Sequence, residues 1–63
     1  MKGFIFVLDE ENVPHFINVN SIVTINGTNK GRNAELHLSN CSMFTAKKTV
    51  EEVAKLIEAS LED

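Results

Sequence analysis

The residue pattern of this 63-residue chain changes at Thr49, and that change constrains the fold more than any other feature. Before Thr49, short apolar or β-branched runs alternate with turn residues. Thr49 and Glu52 have the spacing of a capping box, in which each side chain accepts a backbone N–H at the start of a helix. The sequence therefore predicts an α+β fold, a four- or five-stranded antiparallel β-meander with one C-terminal amphipathic helix.

The turn residues divide the first part of the chain into five predicted strands. We expect strands at 3–8, 13–17, 22–25, 34–39 and 43–46, a helix at 50–61, and a single small domain over 1–63. The first run is apolar on both faces, with Phe4, Phe6 and Leu8 on one and Ile5 and Val7 on the other. This pattern is typical of a central strand that is covered on both sides. Pro14 cannot donate to a ladder hydrogen bond, so the second strand is expected at an edge.

The predicted helix has one apolar stripe, and one helix covers only one face of a small sheet. The stripe consists of Val50, Val53, Ala54, Ile57 and Leu61, with Leu56 at its margin. The second apolar face of the first strand must then be buried in one of two ways. Either the sheet coils into a half-barrel, or another subunit covers that face. We expect a homo-oligomer.

Charge, cysteine content and hydropathy limit the classes of function that this chain can have. Six basic and nine acidic residues give a net charge of −3, which disfavours a dedicated nucleic-acid binder. A single cysteine, Cys41, allows no intramolecular disulfide and fits the cytoplasmic location that we expect. No run approaches the roughly 20 apolar residues of a membrane span. The N-terminal apolar run is short and is followed at once by acidic residues, so we interpret it as a strand and not as a signal peptide.

The residues suited to metal binding or nucleophilic catalysis do not form a recognised pattern. His15, His37 and Cys41 lack zinc-like spacing, so we predict no metal and no cofactor. Cys41 follows His37 by four residues, and the two could approach each other on a strand and its turn. No third group that would orient the histidine is evident, so we predict that the chain is not an enzyme.

Four cations form the one candidate binding site in the sequence, which we call the basic rim. Its members are Lys30, Arg32, Lys47 and Lys48. In a meander, the loop after the third strand and the end of the fifth lie at the same end of the sheet, so the rim could contact an anion or a nucleic acid. Lysines also protect edge strands from aggregation, and that alternative stays open. No aromatic residue interleaves with these cations in the sequence, so base stacking is not indicated.

Several segments resemble the FlbD/SwrD family of small flagellum-associated bacterial proteins. They are the opening strand Phe4–Leu8, the stretch Phe16–Ile25, the strand and turn Glu35–Asn40, and the step Thr45–Val53 into the helix. The resemblance implies a non-enzymatic accessory role and offers no catalytic residues. We therefore expect a small interaction module that acts through protein–protein contacts, with itself and with an unidentified protein partner. The alternative is a nucleic-acid-binding module that uses the basic rim.

Overall fold

The computed structural model describes residues 3–61 and confirms the α+β class. In chain order the elements are β1 (Phe4–Leu8), β2 (Pro14–Asn18), a 3₁₀ turn (Val19–Ser21), β3 (Ile22–Thr28), β4 (Asn33–Leu38), β5 (Met43–Ala46) and α1 (Val50–Ser60). The strands form two antiparallel sheets, β1-β2 and β3-β4-β5. The meander is therefore limited to β3, β4 and β5. No helix among residues 3–61 is long and apolar enough to cross a membrane.

The first sheet is the β1–β2 hairpin. Phe6 lies opposite Phe16, and the Asp9 N–H donates to the Val13 carbonyl at 3.0 Å to close the hairpin. Ile5 and Val7 point inward and are buried, whereas Phe4 and Phe6 point outward and are exposed. The expectation of a central strand covered on both sides is therefore wrong, because the chain leaves β2 to build a separate sheet.

The 3₁₀ turn after β2 redirects the chain between the two sheets. The Asn18 side chain accepts the N–H of Asn20 at 2.9 Å, as an N-cap does. The Val19 N–H donates to the Gly3 carbonyl at 2.8 Å, which ties the turn to the start of the chain. These two bonds fix the point at which β3 begins a new sheet.

The second sheet contains a β-bulge that the residue spacing explains. Ile22 and Ile25 both pack against the core, although residues three apart on a regular strand lie on opposite faces. A register shift between Ile22 and Thr24 inserts one extra residue and returns Ile25 to the inner face. Val23 is the residue left at the bulge, and it is exposed.

Helix α1 begins as predicted, but its buried stripe differs from the predicted one. The Thr49 hydroxyl accepts the Glu52 N–H at 3.1 Å, and the Glu52 carboxylate accepts the Thr49 N–H at 2.9 Å, which confirms the capping box. Ala54 and Leu61 are exposed, whereas Ser60 is buried. Seven residues after Val53 bring a helix back to nearly the same angle, so the inner line runs from Val53 to Ser60.

The core lies where the inner faces of both sheets meet the helix. Its buried apolar residues are Ile5, Val7, Ile17, Ala34, Leu36, Ala46 and Val53. The His15 ring of the first sheet packs edge-on against Phe44 of the second, with ring centroids 4.7 Å apart. The Lys47 N–H donates to the Leu8 carbonyl at 3.0 Å and the Gly3 N–H to the Ser60 carbonyl at 2.9 Å, so α1 runs antiparallel to β1. No other element within residues 3–61 covers the outer face of the first sheet.

Candidate interaction surface

The outer side of the β1–β2 hairpin is an exposed aromatic surface. The side chains on this side, which we call the aromatic face, belong to Phe4, Phe6, Leu8, Pro14, Phe16 and Asn18. Phe4 is 36%, Phe6 50% and Phe16 59% exposed. None of the six residues is ionisable, although 24% of the chain is charged. The six side chains of the aromatic face are therefore uncharged, and all but that of Asn18 are apolar.

Strand alternation and hairpin register together bring the rings side by side. The sequence pattern correctly placed Phe4 and Phe6 on one face of β1. Sequence reasoning did not single out Phe16, because its partner depends on the register set by the turn. That register places Phe16 opposite Phe6, with ring centroids 5.3 Å apart in an edge-to-face arrangement. Such a pair stabilises by about 0.5–1.5 kcal/mol beyond its burial, so the rings are held in place before any partner arrives.

The exposed rings exceed what the fold requires of these positions. Antiparallel sheets with one wet face usually place polar residues on that face. At about 200 Å² for a phenylalanine side chain, the exposed parts of the three rings amount to roughly 300 Å². A continuous apolar patch of that size on a monomer is often a binding site. The aromatic face is thus the strongest candidate site among the described residues.

A shallow pocket borders the aromatic face and contains two members of the basic rim. It has a volume of about 140 Å³ and is lined by Phe6, Val7, Leu8, Lys47 and Lys48. The Lys47 ammonium donates to the Asn12 side-chain oxygen at 2.9 Å. No aromatic residue is near these cations in the sequence, but the Leu8–Lys47 hydrogen bond brings the end of β1, and with it Phe6, to the start of the helix.

The other two members of the basic rim lie in the loop between β3 and β4. Lys30 and Arg32 are exposed there, and Lys30 has a positive φ of 57°. Ala34 pairs with Ala46, so this loop and the end of β5 lie at the same end of the second sheet. The Lys47 side chain is hydrogen-bonded to Asn12 in the β1–β2 turn. A joint site of all four cations stays a prediction.

Each histidine is paired with a carboxylate. His15 Nε2 lies 3.0 Å from Asp9 Oδ2, and His37 Nε2 lies 2.9 Å from Glu35 Oε1. The Asp9 carboxylate accepts the Val13 N–H, and this hydrogen bond is the main cause of the lowered pKa of the Asp9 carboxyl. The hydrogen bond to His15 lowers that pKa further. Cys41 is exposed in the β4–β5 turn.

Within residues 3–61, no group of three or more His, Cys, Asp or Glu side chains is arranged to hold a metal ion.

The chain matches no family model, no curated protein and no solved structure. The geometry of the aromatic face and of the pocket beside it therefore bears most directly on function.

Proposed function

We propose that the chain is a small, non-enzymatic interaction module that binds protein surfaces through its aromatic face. The observation that supports this proposal is the exposure of Phe4, Phe6 and Phe16 on a face without any ionisable group. Its proposed cellular role is that of an accessory protein in the cytoplasm, which is the role that the resemblance to FlbD/SwrD implies.

Burial of the aromatic face contributes favourable free energy to a contact, which is offset by about 4–15 kcal/mol for the lost translational and rotational freedom of the partners. Covering roughly 300 Å² of apolar surface contributes about 7 kcal/mol at about 25 cal/mol per Å². The Phe6 and Phe16 rings stand on paired strands and contact each other, so binding orders few side chains. Less of the free energy is therefore lost to ordering than on a flexible surface.

A photocrosslinking experiment in cells tests the proposal directly. Benzoylphenylalanine replaces Phe16 in one variant and Met43 in a matched control. The two residues have the same exposure, 59% and 58%, but Met43 lies on the outer side of the second sheet. We expect protein adducts from position 16 and few from position 43. An absence of adducts at position 16, or equal yields at both positions, would contradict a role for the aromatic face.

Nucleic-acid binding is the second candidate function, and the pocket beside Phe6 is the observation that favours it. Lys47 and Lys48 lie beside an exposed ring, the combination that single-strand binders use for phosphates and bases. The net charge of −3 and the acidic residues Glu51 and Glu52 beside Lys48 weigh against it. Salt separates the two functions, because phosphate contacts weaken steeply with salt and apolar contacts do not.

A further inference from the structure

We propose that the aromatic face binds a second copy of this chain, so that two β1–β2 hairpins pack face to face in a reversible homodimer. This inference rests on the proposed function and names its first partner. Two copies related by a twofold axis present the same surface to each other. Such a surface must not bring like charges together, and its area must be large enough to hold two copies.

The charge of the aromatic face fits a second copy. All six of its side chains are uncharged, so stacking two faces brings no like charges together at these six positions. The acidic residues of the β1–β2 turn, Asp9, Glu10 and Glu11, lie at the end of the hairpin, outside the face. An acidic or basic peptide would find no complementary charge within the face. An apolar, uncharged partner is favoured, and the chain itself supplies one.

The area of the aromatic face sets the strength of the dimer. The molecule measures 33 × 23 × 20 Å, so one side offers only a small contact. The three rings would form an apolar centre of roughly 300 Å² per copy, surrounded by the polar residues at the edges of the hairpin. Small specific interfaces bury less than about 1,200 Å² in total and are reversible. We therefore expect dissociation in the micromolar range and no permanent dimer.

The rings have the geometry of an interface centre. Phe6 and Phe16 are already in contact, and Phe4 lies on the same face of β1, two residues before Phe6. Aromatic residues that are held rigidly near the middle of a contact contribute most of the binding energy in many interfaces. Phe16 is the most exposed of the three, so it has the most surface to bury. Its replacement should weaken the dimer more than any change outside the face.

Sedimentation equilibrium over about 10 μM to 1 mM tests the proposal. We expect the average mass of the chain to rise from 7.0 kDa toward twice that value as concentration increases. Phe16→Ser should weaken dimerisation at least about tenfold, and Met43→Ser, with matched exposure on the other sheet, should change it less than about threefold. A constant mass of 7.0 kDa, or equal weakening by both variants, would overturn the proposal.

Two further measurements keep the experiment decisive. Circular dichroism checks that Phe16→Ser is folded, and Phe4→Ser replaces it if it is not. Amide chemical shifts on dilution of the unmodified chain should change at β1 and β2 and not at β3. Crosslinking from position 16 that yields only other proteins, with a monomeric chain in solution, would overturn the dimer and leave the proposed function standing. An absence of any adduct at position 16 would overturn the proposed function itself.

Discussion

Two tight turns in the structure share one backbone geometry and differ in the residue at its strained position. In the β1–β2 turn, the Asp9 and Asn12 N–H groups donate to Val13 and Asp9 at 3.0 Å each, and Asn12 has a φ of 65°. In the β4–β5 turn, the Leu38 and Cys41 N–H groups donate in the same way, and Cys41 has a φ of 69°. Three-residue hairpin loops favour glycine at this left-handed position. Asparagine tolerates the conformation, whereas cysteine has no local hydrogen bond that compensates for it.

Replacing Cys41 with glycine should therefore stabilise the chain. The left-handed conformation costs a side-chain-bearing residue about 1–2 kcal/mol, and the greater freedom of glycine in the unfolded chain offsets part of the gain. We expect Cys41→Gly to raise the free energy of unfolding by about 0.5–1 kcal/mol, measured by urea denaturation. The matched control, Asn12→Gly, should change it by less than about 0.5 kcal/mol. A Cys41→Gly variant that is no more stable than the parent would contradict this account of the turn.

Asp9 should make the stability of the chain depend on pH under acidic conditions. Its carboxylate accepts the Val13 and Glu11 N–H groups and pairs with His15, so the folded state lowers its pKa. A group with a lowered folded-state pKa stabilises the protein above its unfolded pKa, which is about 3.9, and that stabilisation is lost as the pH falls through the folded-state pKa. Asp9→Asn should therefore lose less stability than the parent between about pH 5 and pH 2. Thermal unfolding at a series of pH values measures this difference, and parallel curves for the two proteins would contradict it.

At the scale of the element, the start of α1 offers the clearest test. The Thr49 hydroxyl and the Glu52 carboxylate satisfy two N–H groups that have no partner within the helix. Thr49→Ala should lower the free energy of unfolding by about 0.5–2 kcal/mol, whereas Thr49→Ser keeps the acceptor and should lower it by much less. Urea denaturation of the three proteins measures the difference. Equal midpoints for the alanine and serine variants would show that the cap does not contribute.

Local patterns predicted the elements well, because local interactions set them. The capping box located the start of α1, and alternation placed Phe4 and Phe6 together on one face of β1. The end of the helical stripe was harder to predict, since Leu61 is apolar but lies about 100° from the inner line through Val53 and Ser60. The hydrophobicity of Leu61 placed it in the predicted core, whereas the geometry of the helix places Ser60 there.

Features that depend on tertiary contacts could not be read from the sequence. The pairing of Phe6 with Phe16 depends on the register of a three-residue turn, and the division into two sheets depends on the 3₁₀ turn at Val19–Ser21. The approach of Lys47 to Phe6 joins residues 41 positions apart. The candidate site is formed by these contacts, so the sequence pattern placed Phe4 and Phe6 on one face and missed both Phe16 and their position beside the cations.

At the scale of the whole molecule, the placement of charge limits what the pocket beside the aromatic face can bind. Lys47 and Lys48 lie at the end of β1, close to the acidic β1–β2 turn and to Glu51 and Glu52 of the helix. The Lys47 ammonium is already hydrogen-bonded to Asn12 in that turn. A phosphate chain that approached these lysines would also meet the field of the carboxylates. Exposed charges within about 10 Å are only partly screened at physiological salt.

We therefore expect only weak binding of nucleic acid. Contacts from all four cations of the basic rim would give a salt slope of roughly −3.6 on duplex DNA and roughly −2.8 on a single strand, with low and non-specific affinity. Fluorescence anisotropy with labelled random single-stranded DNA or RNA should show no binding tighter than about 10 μM at physiological salt. Two variants identify the source of any tighter binding. If Lys30→Ala with Arg32→Ala abolishes it, the basic rim is the site and nucleic-acid binding becomes the leading function. If Phe6→Ser abolishes it while the loop variant does not, the rings stack on bases, and the aromatic face binds nucleic acid instead of protein.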